Sequence, residues 1–394
     1  MNSKQRILRT IRGQKVDRIP IYAPVITGRI INPAHVPVGL QVAHLLMDGV
    51  PALDEWITQD PNYLEIVKLA EEKCEKVWSY GFPEFDRRFL LIPREFIKVA
   101  KVKENNVSLL IKYRVQTPKG SLEYICEKQK NISTVWDRDP PIEDKKDVEK
   151  ILSVPYEFQR PDVEEFFKYK NRIEKKEGLM YIFISTPMVC VSQLFRFEKF
   201  LMWCIAEKST VARLIETAFE RIYEQLEFLL QKGVGPIFHF GGSEQATPPM
   251  MSPKLYDELV VKYDSKLFDL VHRYGGYVAV HCHGKVRSIL DKLINMGIDL
   301  LDPVEGPPSG DIEIWEAKKK VKRGITLVGN IQFGDMEVCT VKEIDEKVKK
   351  AICSGGEQKF ILATTEGPVS PVSSQMKDNY IQFMESGIKY GKFE

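Results

Sequence analysis

Apolar residues recur along this chain with two different periods, and the switch between them divides it into regions. After residue 150 there are six short, nearly continuous apolar runs: Leu179-Met-Tyr-Ile-Phe-Ile184, Val234-Gly-Pro-Ile-Phe-His-Phe240, Tyr277-Val-Ala-Val-His-Cys-His283, Ile298-Asp-Leu-Leu-Asp-Pro303, Ile325-Thr-Leu-Val-Gly-Asn330 and Lys359-Phe-Ile-Leu-Ala-Thr364. Between and around them, apolar positions return every three or four residues over 161–175, 191–232 in pieces, 253–274, 285–296, 311–322, 341–353 and 371–390. Short apolar runs of this length read as buried strands and the longer periodic stretches as helices. Strands that alternate with helices imply parallel strands joined by helical crossovers.

The first 150 residues are mixed. Residues 4–12 predict a short helix and Arg18-Ile-Pro-Ile-Tyr-Ala-Pro-Val25 a strand. Pro61 to Val77 predicts a helix with proline in its first turn, where a missing N–H costs nothing. Over 107–128 the period becomes two, broken by Thr117-Pro-Lys-Gly120, which predicts an inserted β-hairpin. Asp137-Arg-Asp-Pro-Pro-Ile-Glu143 reads as a polar loop inside one fold, and no internal repeat or low-complexity tract is visible. The whole chain, 1–394, is therefore expected to be one α/β domain: a (β/α)8 TIM barrel with an N-terminal helical elaboration and an inserted hairpin. An open doubly wound sheet is the competing topology. No Gly-x-Gly-x-x-Gly follows a strand, which disfavours its dinucleotide-binding form.

Composition narrows the class of activity. With 57 Lys+Arg against 55 Asp+Glu the net charge is +2, a balance that argues against nucleic-acid or polybasic membrane binding. No apolar stretch approaches the roughly 20 residues of a membrane span. The opening has no apolar core of a secretory signal, so a cytoplasmic protein is expected. Seven cysteines at 74, 126, 190, 204, 282, 339 and 353, with no Cys-x-x-Cys, do not suit a disulfide framework or a four-cysteine zinc knot.

Candidate chemistry lies at the ends of the strands. The run at 234 ends in His239 followed by Gly241-Gly-Ser-Glu244, the run at 277 in His281-Cys-His283-Gly284, the run at 298 in Asp302-Pro-Val-Glu305, the run at 325 in Gly329-Asn330, and the run at 359 in Thr364-Thr-Glu366-Gly-Pro368. In a barrel these carboxyl ends converge on one mouth, where active sites are built. Residues 281 and 283 are two apart on a strand, so both imidazoles face one way and Cys282 the other. Two imidazoles with carboxylates such as Glu305 and Glu366 suit a divalent cation, zinc first. His239, Glu244 and Asn330 are candidates for proton transfer or substrate orientation. Asp86, in Phe82-Pro-Glu-Phe-Asp-Arg-Arg88, reads as an acid at the site or an ordinary ion-pair partner.

Arg6-Ile-Leu-Arg-Thr-Ile-Arg-Gly-Gln-Lys-Val-Asp-Arg-Ile-Pro20, His281-Cys-His-Gly-Lys-Val286, Met296-Gly-Ile-Asp-Leu-Leu-Asp-Pro303, Leu327-Val-Gly-Asn-Ile331 and Ile361-Leu-Ala-Thr364 together carry a resemblance. The sequence resembles the uroporphyrinogen decarboxylase superfamily, and more closely its corrinoid-linked methyltransferase branch. The resemblance implies a (β/α)8 barrel with its cleft at the carboxyl ends of the strands. The methyltransferases hold zinc with a His-x-Cys pair and a later Cys, and the similar cobalamin-independent methionine synthases add a Glu. Carried over by position, those ligands fall on His281, His283, Glu305 and Glu366, with both thiolates replaced. A two-His, two-Glu set carries less negative charge than one with two thiolates. It leaves the cation a stronger Lewis acid, better suited to an oxygen than to activating a thiolate.

The expected activity is thus metal-dependent methyl transfer between a small methylated or methoxylated substrate, or a thiol, and a separate corrinoid protein, because no cobalamin-binding Asp-x-His-x-x-Gly motif occurs here. A metal-free decarboxylase on the same barrel, with Arg29 and Asp86 binding substrate, is the rival reading. The decarboxylases resemble Arg-x-Ala-Gly-Arg-Tyr near the N-terminus, whereas this chain has Ile26-Thr-Gly-Arg-Ile-Ile31. A non-catalytic ligand-binding barrel is the third.

Overall fold

The computed structural model describes residues 1–25, 35–36, 55–82, 88–322 and 324–393. Arg29 and Asp86 lie outside them. Eight parallel strands follow one another in chain order: β1 (Ile21–Tyr22), β2 (Val77–Tyr80), β3 (Leu179–Ile184), β4 (Ile237–Phe240), β5 (Tyr277–His281), β6 (Leu300–Asp302), β7 (Thr326–Ile331) and β8 (Phe360–Thr364). Each pairs with the next from β2 to β8, and β8 pairs with β1. The remaining seam, between β1 and β2, is bridged by the Glu75 N–H donating to the Ile21 carbonyl at 2.8 Å. The result is the expected α/β barrel, nearly closed, with helices on its outside.

Alternation along the strands creates two separate cores. Inward positions such as Tyr22, Val77, Leu179, Tyr181, Ile237, Ala279, Leu300, Val328 and Ile361 fill the barrel interior. Outward positions, including Met180, Ile182, Phe238, Val278 and Val280, pack beneath the surrounding helices. Cys282 belongs to this outer core, as its place between two histidines requires. The N-terminal helix Ser3–Ile11 closes the amino end of the barrel: Ile7 and Ile11 join the inner cluster. An Asn2–Gln5 capping box begins that helix.

The first residues of the chain build a charge network there. Arg6 bonds Asp17 at 2.7 Å and Glu75 at 2.9 Å, and Arg18 reaches the same Glu75 carboxylate at 2.8 Å. Glu75 is wholly buried, so its charge is balanced by two guanidinium groups.

Two expectations need correction. The helix predicted over 61–77 ends at Lys73, and Val77–Tyr80 is the second barrel strand. All four of its residues are buried, so it shows no alternation, and only three residues separate it from the helix. The inserted hairpin is present as Ser108–Thr117 and Gly120–Gln129, but Ile97–Glu104 and Val135–Asp139 extend it into a four-stranded antiparallel sheet. The polar stretch read as a loop from Asp137 onward thus begins as an edge strand, which tolerates charge because one side faces solvent.

Candidate metal centre

The inward-facing pattern carries polar residues to the mouth on three neighbouring strands. On β4 the inward position after Ile237 is His239. On β5 the position after Ala279 is His281. On β6 the position after Leu300 is Asp302. His281 and Asp302 are partners in register. The Asp302 Oδ2 atom lies 3.5 Å from His239 Nε2 and 3.6 Å from His281 Nδ1, and one donor atom from each of the three residues falls within 4.8 Å of the others.

Three observations fit this group to a cation. First, these separations exceed a good N–H···O hydrogen bond, and His239 Nε2 and His281 Nδ1 are buried with no hydrogen-bond partner. Second, two donors bound to one zinc ion at about 2.0–2.1 Å in tetrahedral geometry stand roughly 3.3–3.4 Å apart, near the observed spacing. Third, two imidazole nitrogens and one carboxylate oxygen form a borderline-to-hard donor set suited to zinc and similar ions.

The electrostatics agree. Burial favours a neutral Asp302, but the facing His239 and His281 outweigh it and hold the carboxyl well below the usual range. Burial also disfavours charge on His281, but the carboxylates of Asp302, Glu244 and Glu366 overcome that and push it up to about 9. His239 goes the other way: burial, with the neighbouring His281 charge, keeps it below its ordinary value despite Asp302. One buried carboxylate and one shared positive charge therefore stand where a divalent ion can replace the proton.

The sequence profile of uroporphyrinogen decarboxylase (URO-D) matches residues 136–375, more than half of the chain and all but two of the barrel strands. The chain belongs to the URO-D family. No curated protein sequence matches it. Among solved structures, a methyltransferase from Methanosarcina mazei is similar over 99% of both chains, with 16% identity and a TM-score of 0.60. A B12-independent methionine synthase from Shewanella sp. W3-18-1 matches over 75% of each chain, with 14% identity and a TM-score of 0.40. The first likeness shows that the URO-D chain and the methanogen enzyme share a fold from end to end.

The other sequence candidates surround the central group in this URO-D barrel. His283 continues the inward face of β5, and its ring centroid is 4.6 Å from that of His281. Its Nδ1 is 3.3 Å from Glu305 Oε2, which also accepts the Gly284 N–H at 2.7 Å. Burial opposes ionisation of Glu305, yet His283 and that N–H bring its pKa down. Glu366 is partly buried, accepts its neighbour Gly367 N–H at 2.8 Å and, chiefly through burial, has a raised pKa. Of the four ligands carried over by position, then, only His281 belongs to the compact group. His283 and Glu305 form an adjoining pair, and Glu366, just past the end of β8, belongs to neither.

Glu244 opens a short turn after β4, and its Oε2 is buried without a hydrogen-bond partner. Asn330 lies inward on β7 with its amide nitrogen near Gly306. Two glycines permit this crowding. A Cβ on Gly242 would stand 1.7 Å from the His281 carbonyl oxygen and 2.3 Å from Glu244 Oε2; a Cβ on Gly310 would stand 2.0 Å from the Glu305 carbonyl oxygen.

Asp302 is the member of the group that local sequence pattern does not single out as a ligand. Asp-Pro after a strand looks like the start of a turn. The signal lies in the alternation, since an inward Leu300 makes Asp302 inward.

Proposed function

We propose that this URO-D family barrel is a metal-dependent methyltransferase that moves a methyl group between a small methylated or methoxylated substrate and a corrinoid carried by a separate protein. The observation that carries the reading is the convergence of His239, His281 and Asp302 at the carboxyl ends of consecutive strands. The end-to-end likeness to a methyltransferase from Methanosarcina mazei supports it.

A divalent cation held by His239, His281 and Asp302, with His283, Glu305 and Glu366 alongside, would supply Lewis acidity that polarises the heteroatom bearing the methyl group. The transfer is of a CH3+ equivalent. The bond between carbon and heteroatom breaks with its electron pair left on the heteroatom, and the new bond to carbon is made with a pair from the carrier's cobalt. The heteroatom then takes a proton from water, which the Glu244 carboxylate, with its unpartnered oxygen, would orient. Asn330 offers an amide to orient the substrate. Acceptance of a polycarboxylate such as a porphyrinogen is opposed by Asp302, Glu305, Glu366 and Glu244 at one mouth.

The test is the metal content of protein purified without an affinity tag, followed by methyl transfer from methoxylated aromatics to a corrinoid acceptor. About one equivalent of zinc, lost in His281→Ala together with turnover, is the expected result. Full metal occupancy in His281→Ala would refute the assignment, and carbon dioxide release by metal-free protein would favour the decarboxylase reading.

A further inference from the structure

The helix Phe197–Ala206, with sequence Phe-Glu-Lys-Phe-Leu-Met-Trp-Cys-Ile-Ala, is apolar nearly all the way round. A helix of that kind is normally covered on every side. Here the inner face buries Phe200 and Cys204, but the opposite face leaves Met202 60% and Ile205 71% exposed. Met250, 50% exposed, stands across from them. Between lies a groove of about 400 Å³ floored by Leu201, Met251 and Leu255. Contiguous exposed apolar side chains mark interaction sites more often than they occur by chance, and methionine suits an adaptable contact surface.

The topology places this groove at the mouth end. The helix Lys208–Gln231 carries the chain from the carboxyl end of β3 back to the amino end of β4, so its first residue, Lys208, lies at the mouth end. The helical stretch from Pro253 to Arg273 does the same between β4 and β5, so Lys254 and Leu255 lie there too. The groove is therefore on the flank of the opening where His239, His281 and Asp302 converge. Its lips carry Lys208, Lys254 and Glu258; Lys208 pairs with Glu258 at 3.2 Å, and Lys254 has no ion-pair partner among the described residues.

We infer that this groove is the docking surface for the protein that carries the corrinoid, which presents an apolar cluster flanked by carboxylates. The inference rests on the proposed methyl transfer for the partner's identity. An apolar floor excludes water, the unpaired Lys254 favours an acidic flank, and a carrier held here has its prosthetic group beside the opening. A small substrate needs no such surface, because it enters the barrel.

The variants Ile205→Glu and Lys254→Glu, both at exposed positions, test it. The probe is a purified corrinoid-binding protein carrying reduced cobalamin, with binding followed by calorimetry and methyl transfer from a methoxylated aromatic to that protein assayed in parallel with transfer to free reduced cobalamin. Ile205→Glu is expected to weaken binding of the carrier protein at least tenfold, and Lys254→Glu several-fold. Transfer to free reduced cobalamin should be unchanged in both. Carrier binding that is absent in the natural chain, or unaltered by Ile205→Glu, overturns the inference. So does a dimer of the natural chain that Ile205→Glu converts to a monomer, since the groove would then face a second copy. Failure of the proposed chemistry is distinct: it removes transfer to free reduced cobalamin and leaves the binding result to stand or fall by itself.

Discussion

Asp302 faces His281 in register across adjacent strands, its Oδ2 3.6 Å from the imidazole Nδ1, and the same oxygen is 3.5 Å from His239 Nε2. One carboxylate oxygen thus stands between two imidazoles and is well bonded to neither. The substitution Asp302→Asn keeps the shape and removes the charge. We expect zinc affinity to fall at least about tenfold, within the usual range for lost groups around a metal, as measured by competition with a chromophoric chelator. Glu305→Gln should reduce it less. An equal or larger loss in Glu305→Gln would move the centre outward to the His283–Glu305 pair.

Gly242 is a second point of control. With 1.7 Å available between a new Cβ and the His281 oxygen, Gly242→Ala must displace either the β5 end or its own turn. Overpacking of this kind typically costs about 1–3 kcal/mol. Urea unfolding should show that loss, and bound metal should fall with it because the displaced backbone carries His281. Unchanged stability and unchanged metal would mean that the turn relaxes freely.

At the opposite end of the barrel, Glu75→Gln leaves Arg6 and Arg18 without their shared buried carboxylate. Breaking a buried ion pair from one side costs about 3–5 kcal/mol. The thermal unfolding midpoint should fall accordingly. Asp17→Asn removes a partner of Arg6 that is 43% exposed, and the change should stay below about 1 kcal/mol.

A pH-dependent contribution comes from His272, whose Nε2 is 2.9 Å from Asp299 Oδ2. The hydrogen bond to Asp299 outweighs partial burial and raises the imidazole pKa. The folded chain therefore holds this proton more tightly than the unfolded one. The stabilisation is complete below the unfolded value, near 6.5, and disappears as pH rises through the folded value. His272→Gln should cost more at pH 5.5 than at pH 9, with a difference under about 1 kcal/mol given the partial exposure. Equal costs at both pH values would show that the pair contributes packing alone.

From β3 to β8 the barrel strands are legible as short apolar runs, because strands buried on both faces need no alternation to stand out between amphipathic helices; β1 lies within the stretch Arg18–Val25 that also predicts a strand. Val77–Tyr80 is not legible, since it is only four residues long and follows a helix after three residues, so its apolar positions read as a continuation of that helix. The partners of the inserted hairpin are hidden for a different reason: Ile97–Glu104 and Val135–Asp139 carry many charges and form the sheet's two outer strands. At the mouth, His281 and His239 can be read from strand ends. Their meeting with Asp302 depends on register between separate strands, which no local pattern encodes.

The N-terminal plug makes the barrel a cup rather than a tube. Ile7 and Ile11 stop its base, so among the described residues the doorway to the deep imidazoles is at the carboxyl end of the strands. Under the proposed chemistry, a bulky carrier held on the flank, with its prosthetic group turned over that doorway, shuts in whatever is already below and shuts out whatever is not. The small reactant must then load first, and a surplus of carrier protein should throttle turnover rather than speed it.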